Sequence, residues 1–249
     1  QSKLAAMGEM LTAIAHQWRQ PLNSVGLIVQ DLVSAQKHEE LTTQYLLDSK
    51  DRVLKQLNLM SSTIDEFRNF FSKDSLPSNF NIIDALKEVE SLYWAQFKAH
   101  NIVLKLMCNG YSYKSIDNEC TNMFNVYNLS SELKQVLLNI FANAKDAIVN
   151  IENATEYQRE IITSIIEKED EVVIEINDHA GGMPFDTLRR VFEPYYTTKE
   201  TGTGLGLFIV KTLVDKHIKG SIECNTYTSE NESISYTGTT FTLHIPKKI

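Results

Sequence analysis

Three groups of residues in this chain have the types and spacing to hold a phosphorylated ligand. In SSELKQVLLNIFANAKDAIVN, Gln135, Asn139, Asn143 and Asp146 recur at helical spacing. At about 100° per residue they share one stripe, while Leu133, Val136, Leu137, Ile140, Ala144 and Ile148 take the other side. Asparagine is a poor helix former, so two of them one turn apart ask for a use outside the helix. A row of amide and carboxylate oxygens suits hydrated Mg²⁺, which prefers oxygen and retains waters. In IEINDHAGGMP a strand ends at Asp178, and Ala180, Gly181 and Gly182 follow. An acid there can accept a hydrogen bond from an exocyclic amine, and Gly182 lets a ligand approach the backbone. In TTKETGTGLGLFIV, the run Gly202, Thr203, Gly204, Leu205, Gly206 opens an apolar helix. Backbone N–H groups and a helix N-terminus make an anion site there, with Lys199 as a nearby positive charge. The spacing is not GxGxxG and no GK[ST] follows, so this phosphate site belongs to another nucleotide-binding class.

A fourth group lies near the start. The segment IAHQWRQPLN sets His16, Gln17, Arg19 and Gln20 just before Pro21. A proline inside a helix removes a hydrogen bond and costs about 3 kcal/mol. His16 stands two residues past Ile14 and two before Trp18, both on an apolar stripe, so its imidazole is expected to face solvent. A neutral imidazole nitrogen is a competent nucleophile. Pro21 is expected to bend or loosen the helix beside it. Arg19 would steady His16 or a docking carboxylate, and the Gln20 amide, one turn on, would orient a water.

These groups need two kinds of scaffold. Residues 1–72 show apolar series at Leu4, Met7, Leu11, Ile14, Trp18, Val25, Ile28, Leu32 and at Leu46, Val53, Leu57, Met60, Ile64, Phe67, Phe71. Both are heptad-like, and the polar KHEELT between them predicts a turn. Two helices alone bury one seam, so a dimer forming a four-helix bundle is expected. From about residue 77 the pattern reads strand, helix, strand. It continues with a helix over 131–150, strand–turn–strand through EIITSIIEKEDEVVIEIND, a helix near 204–218, and strands near 220–226 and 239–245. Residues 110–128 are placed only loosely. The mixture predicts an α/β sandwich with helices covering one face of a sheet.

Composition narrows the function classes. The net charge is −8, with 43% hydrophobic and 22% charged residues, against a general nucleic-acid binder and in keeping with a globular protein. Cys108, Cys120 and Cys224 show no metal or disulfide spacing, which fits the cytoplasm. No apolar run is long enough for a membrane span and no signal peptide is visible, so no membrane contact is expected of this fragment. QSKLAAMGEM already reads as helix; a sensor region, upstream and in some cases membrane-anchored, is the expectation.

The order Asn-bearing helix, DHAGG, FEPYYTTK, GTGLGL resembles the ATP-binding domain of sensor histidine kinases, and LAAMGEMLTAIAHQWRQPLN resembles their phosphoacceptor segment. The resemblance covers nearly the whole chain. It implies a helical hairpin for dimerisation and histidine phosphotransfer over 1–74, and a Bergerat-type (GHKL) α/β sandwich, the catalytic ATP-binding domain, over 77–249. It implies ATP and Mg²⁺ as cofactors, autophosphorylation of His16, and transfer to an aspartate of a response-regulator receiver domain. Asn139 and Asn143 match the N box, with Asn143 holding Mg²⁺. Asp178 would read the adenine amine, aided through a water by Thr239 of GTTF. Phe192 to Lys199 match the F box and lid, and Gly202, Gly204 and Gly206 the second glycine box. Two departures stand out. Ala180 replaces a frequent glycine, and Gln17 replaces an acid that serves many members as general base, which an amide cannot do. Two other readings remain open on the residues: a GHKL ATPase without a phosphoacceptor, and a nucleotide-binding dimer acting mainly as a regulator phosphatase or docking module.

Overall fold

The computed structural model describes residues 2–71, 76–112, 122–199, 202–231 and 234–249. They fall into two compact units, Gln1–Lys73 with Thr197–Thr203, and Asp74–Tyr196 with Gly204–Ile249.

The first unit is built on two helices, α1 (Ser2–Lys37) and α2 (Thr43–Phe71). The chain reverses within the polar stretch predicted to turn. Thr42 caps α2 by accepting the Tyr45 N–H on its hydroxyl at 3.1 Å. α1 runs unbroken through Pro21, which is buried, so the proline does not end the helix. Ile28, Ala35 and Ser49 are buried, and the Tyr45 hydroxyl donates to Asp31 at 2.6 Å. The α2 series departs from the expected single stripe. Leu46 and Leu57 are each 47% exposed, and Leu22, Leu27, Val29, Val33, Leu47 and Leu54 are exposed too. Apolar residues therefore occupy a second face that one hairpin cannot cover, since a helix buries one stripe per neighbour.

The second unit runs β1 (Ser78–Asn81), α3 (Ile82–Ala99), β2 (Val103–Cys108), β3 (Tyr111–Ser112), β4 (Asn125–Asn128), α4 (Ser130–Val149), β5 (Glu160–Glu167) and β6 (Glu171–Asp178). It continues with α5 (Phe185–Arg190), α6 (Gly206–Thr212), β7 (Ser221–Asn231) and β8 (Ile234–Pro246). β1 and β4 form a separate ladder. The main sheet has the order β3-β2-β5-β6-β8-β7. Only β2 and β5 run parallel; the other neighbours are antiparallel.

Alternation builds this sheet. Ile161, Thr163 and Ile165 on β5, Ile174, Ile176 and Asp178 on β6, and Thr239, Phe241, Leu243 and Ile245 on β8 are all buried. The apolar side of α4, namely Leu133, Val136, Leu137, Ile140, Ala144 and Ile148, is buried as predicted, alongside α3 and α6. The helix expected over 204–218 is α-helical only to Thr212; Leu213–Ile218 widen into a π turn that Lys219 ends at φ 62°. The last two strands are several residues longer than predicted, and the extra length of β7 bears on the site. Of the loosely placed 110–128, β3, β4 and a short 3₁₀ turn at Asn122–Phe124 are now defined; 113–121 lie outside the described residues.

Candidate functional site

Asp178 is the last residue of β6 and pairs in register with Thr239 of β8. Only 4% of it is exposed. Its Oδ1 accepts the Ala180 N–H at 3.0 Å, and the Thr239 backbone N–H donates to the carboxyl as well. Burial wins over these two bonds and pushes the carboxyl up to about 6. Asp178 and Thr239, two residues far apart in sequence, are thus brought together.

The turn after Asp178 has glycine for steric reasons. Gly181 (φ 93°) donates to the Thr237 carbonyl at 2.8 Å. Gly182 has φ 70°, and a Cβ there would lie 2.6 Å from Thr226 Cγ2 and 2.9 Å from Thr237 Cγ2. Ala180 is not among the residues with positive φ, so its methyl is accommodated without strain.

On α4, the Asn139 amide donates to the Gln135 carbonyl at 3.1 Å, and its Oδ1 lies 3.3 Å from where Gly206 would carry a Cβ. The amide stripe therefore meets the glycine run at the start of α6. Asn143 is half-buried one turn on, and Asp146 lies 3.4 Å from the Lys145 ammonium. Gly204 (φ 67°) admits no side chain, because a Cβ would fall 2.3 Å from the Tyr195 carbonyl carbon. Tyr195, itself at φ 67°, donates its N–H to the Gly204 carbonyl at 2.8 Å. The backbones at Tyr195 and Gly204 thus meet in a pinch. Leu205, fully buried, anchors the Gly204 side. Before the pinch, Arg190 stacks 4.4 Å over the Tyr196 ring, and the Lys211 ammonium lies 5.9 Å from the Phe192 ring.

Lys199, Gly202 and Thr203 belong to the segment grouped with the first unit. There the Lys199 N–H donates to Thr197 Oγ1 at 3.1 Å, and Gly202 donates to the Lys199 carbonyl at 3.3 Å. A Cβ on Gly202 would meet Thr197 Oγ1 at 2.4 Å, so a larger residue there would have to displace the Thr197 side chain. His16, Gln17 and Gln20 have their backbones in α1, but their side chains lie outside the described residues; Arg19 is exposed. The solvent-facing imidazole expected at His16 falls on that undescribed side chain.

Three residues escaped the sequence reading. Buried Asn128 donates to the carbonyls of Ile218 and Pro246 at 3.2 Å each, tying β4 to the π turn and to the end of β8. Thr226 and Tyr227 touch the Asp178 turn. Thr226 closes the strand predicted near 220–226 and Tyr227 follows it, and no local pattern marks either for the Asp178 turn.

Residues 128–249 match the family of histidine kinase-, DNA gyrase B-, and HSP90-like ATPases. The fold of this stretch is like that of such ATPase domains. The two-component sensor PprA of Pseudomonas aeruginosa is 26% identical over 226 residues, covering 89% of this chain and 23% of that protein. The signal transduction histidine-protein kinase AtoS of Escherichia coli K12 is 29% identical over 245 residues, covering 98% of this chain and 35% of that protein. The chain spans less than half the length of these curated relatives. The crystal structure of histidine kinase ThkA in complex with response regulator protein TrrA matches with a TM-score of 0.63 at 20% identity. It covers 99% of this chain and 63% of that one, and shows that the hairpin and the sandwich share its fold. Along nearly its whole length the chain is similar to sensor histidine kinases, and its ATPase-like stretch is residues 128–249. A second match, to the AP3 Mu C-terminal domain over 29–138, begins inside α1 and ends inside α4. It corresponds to no structural unit and carries no argument.

Proposed function

We propose that this chain binds ATP through Asp178 and uses it to phosphorylate His16, then passes the phosphoryl group to an aspartate of a response-regulator receiver domain. The observation that carries the reading is the buried carboxylate at the end of β6, followed by a turn that only glycine fits. Such a group, held by two backbone N–H donors, is set to accept the adenine amine. Thr239 stands beside it for a bridging water. The glycine run 202–206 and Lys199 would take the phosphates.

The donor set fits Mg²⁺ held mainly by phosphate and water. Asn143 offers one amide oxygen, and among the described residues no three His, Cys, Asp or Glu side chains cluster to cage a metal. The ion would supply charge neutralisation on the phosphates, which phosphoryl transfer needs most. Asn139 and Asp146 would orient the waters.

The exposed apolar face of the hairpin supports a homodimer through residues 1–74, with 77–249 as the catalytic domain. ThkA's complex with a response regulator supports that class of partner. Among the described residues no helix is long and apolar enough to cross a membrane. ATP use and free Cys108 and Cys224 favour the cytoplasm. Gln17 and Gln20 favour a second direction for the same site: hydrolysis of the regulator's aspartyl phosphate, with the Gln20 amide orienting water.

The test is incubation with γ-labelled ATP and Mg²⁺. Acid-labile, base-stable label is expected in the parent and none in His16→Gln, which should still bind nucleotide. Equal labelling of that variant would sink the assignment.

A further inference from the structure

Thr226 and Tyr227 are neighbours on β7 and grip opposite ends of the turn 178–183. The Thr226 hydroxyl accepts the Met183 N–H at 2.8 Å and donates to the Met183 carbonyl at 2.9 Å. Its methyl occupies the space that a Cβ on Gly182 would need. The Tyr227 hydroxyl donates to the Asp178 carbonyl at 2.9 Å and lies 2.5 Å from His179 Nδ1. A phenol has one proton. With that proton given to Asp178, its oxygen accepts from His179 Nδ1–H, which fixes the imidazole tautomer.

Two further observations tighten the arrangement. Tyr227 pairs in register with Gly238, and a Cβ on Gly238 would fall 2.0 Å from the Asp178 carbonyl oxygen and 2.7 Å from the Tyr227 hydroxyl. Glycine at 238 therefore clears the path by which the phenol reaches the β6 backbone. His179, almost fully buried, stacks on Tyr157 at 4.1 Å with 19° between the rings. Burial keeps that imidazole neutral and, with the nearby Asp178 charge, keeps the phenol protonated.

We propose that Thr226 and Tyr227 are positioning residues for nucleobase recognition: they fix the turn from below, so that the Asp178 carboxylate meets the base amine at one distance and angle. This rests on Asp178 reading the base. Neither side chain need touch the nucleotide. Tyr227 sets the carbonyl end of Asp178, and Thr226 sets where the glycine turn closes. Misplacement by a fraction of an ångström weakens a buried hydrogen bond steeply.

The experiment compares ATP with inosine triphosphate, which carries an oxygen in place of the 6-amino group. Affinities are measured by calorimetry on the intact chain, with Asp178→Asn as the reference variant. The parent should favour ATP strongly. Tyr227→Phe and Thr226→Val should lose about three- to tenfold in ATP affinity with little change for inosine triphosphate, while Thr226→Ser keeps the parental ratio. A purely structural role would lower both affinities together, and that outcome overturns the proposal. If Asp178→Asn leaves the ATP preference intact, base reading by Asp178 fails. If Asp178→Asn abolishes the preference and neither Tyr227→Phe nor Thr226→Val narrows it, only the positioning role fails. Melting curves identify a variant that does not fold, in which case the other decides.

Discussion

Asp178→Asn should make the free protein more stable while it disables nucleotide binding. Raising the carboxyl from 3.8 to about 6 means that holding it ionised at neutral pH costs the fold about 3 kcal/mol. Between those two values the folded chain holds a proton that the unfolded chain has released. Stability therefore falls as pH rises through that window, stays level above it, and recovers fully below 3.8. An asparagine keeps the oxygen that accepts the Ala180 N–H and removes the charge, but its NH₂ still has to be buried. The net gain is expected at about 1–3 kcal/mol above pH 6.5, or about 2–12 °C in melting temperature for a domain of this size.

The assay is thermal unfolding of parent and variant from pH 4 to 8 without nucleotide, paired with ATP titration at pH 7.5. The variant's advantage should be largest near pH 7.5 and shrink toward pH 4. ATP affinity should drop about ten- to hundredfold, the cost of a mismatched buried polar pair. The parent's own affinity should fall below about pH 6 as Asp178 takes up its proton. A variant that melts at or below the parent at pH 7.5, or an advantage that does not change with pH, would refute the electrostatic argument.

Gly204→Ala places a methyl against the Tyr195 carbonyl and forces φ 67° on an alanine; a loss of more than about 2 kcal/mol and of nucleotide affinity is expected in melting and binding assays. Analytical ultracentrifugation should show a dimer that residues 1–74 alone reproduce, and a monomer at all concentrations would count against the hairpin interface. Gln17→Glu should speed initial phosphorylation of His16 by up to about 10²-fold, because a carboxylate can take the imidazole proton; no acceleration across pH 6–9 would show that the proton leaves by another route.

The sequence made the helices and most strands legible because their periods are strong. Every apolar position predicted on α4 is buried, and the turn between β5 and β6 falls where EKED interrupts the alternation. Asp178 and Gly182 were readable as a strand end and a turn, but an acid followed by small residues also makes an ordinary turn, so only the order of the motifs singled them out. Less readable were the features that depend on neighbours distant in the chain. Leu46 and Leu57 look like seam residues by spacing, yet which stripe faces which helix is decided by how the two helices are rotated against each other. The π turn at Leu213–Ile218 leaves no mark in composition. Thr226 and Tyr227 were invisible as site residues, since only the sheet order β6-β8-β7 brings them to the Asp178 turn, across a β8 glycine.

Unfavourable features concentrate where the ligand would bind. Asp178 is held charged in a nearly dry environment, Tyr195 occupies left-handed backbone without being glycine, and His179 Nε2 is buried with no hydrogen-bond partner among the described residues. Features of this kind cost of order 1–3 kcal/mol each. The apolar core under the sheet, from Ile140 and Phe141 to Ile174 and Leu243, offsets them. A softer turn would let Asp178 swing to water and recover its hydration, and the bond to the base would then have to compete with that hydration. The clasp from β7 removes that escape. On the proposed reading, the stability spent on a rigid, desolvated acceptor would become selectivity for a base that carries an amine, because a partner that donates to the carboxylate relieves the penalty of burying it.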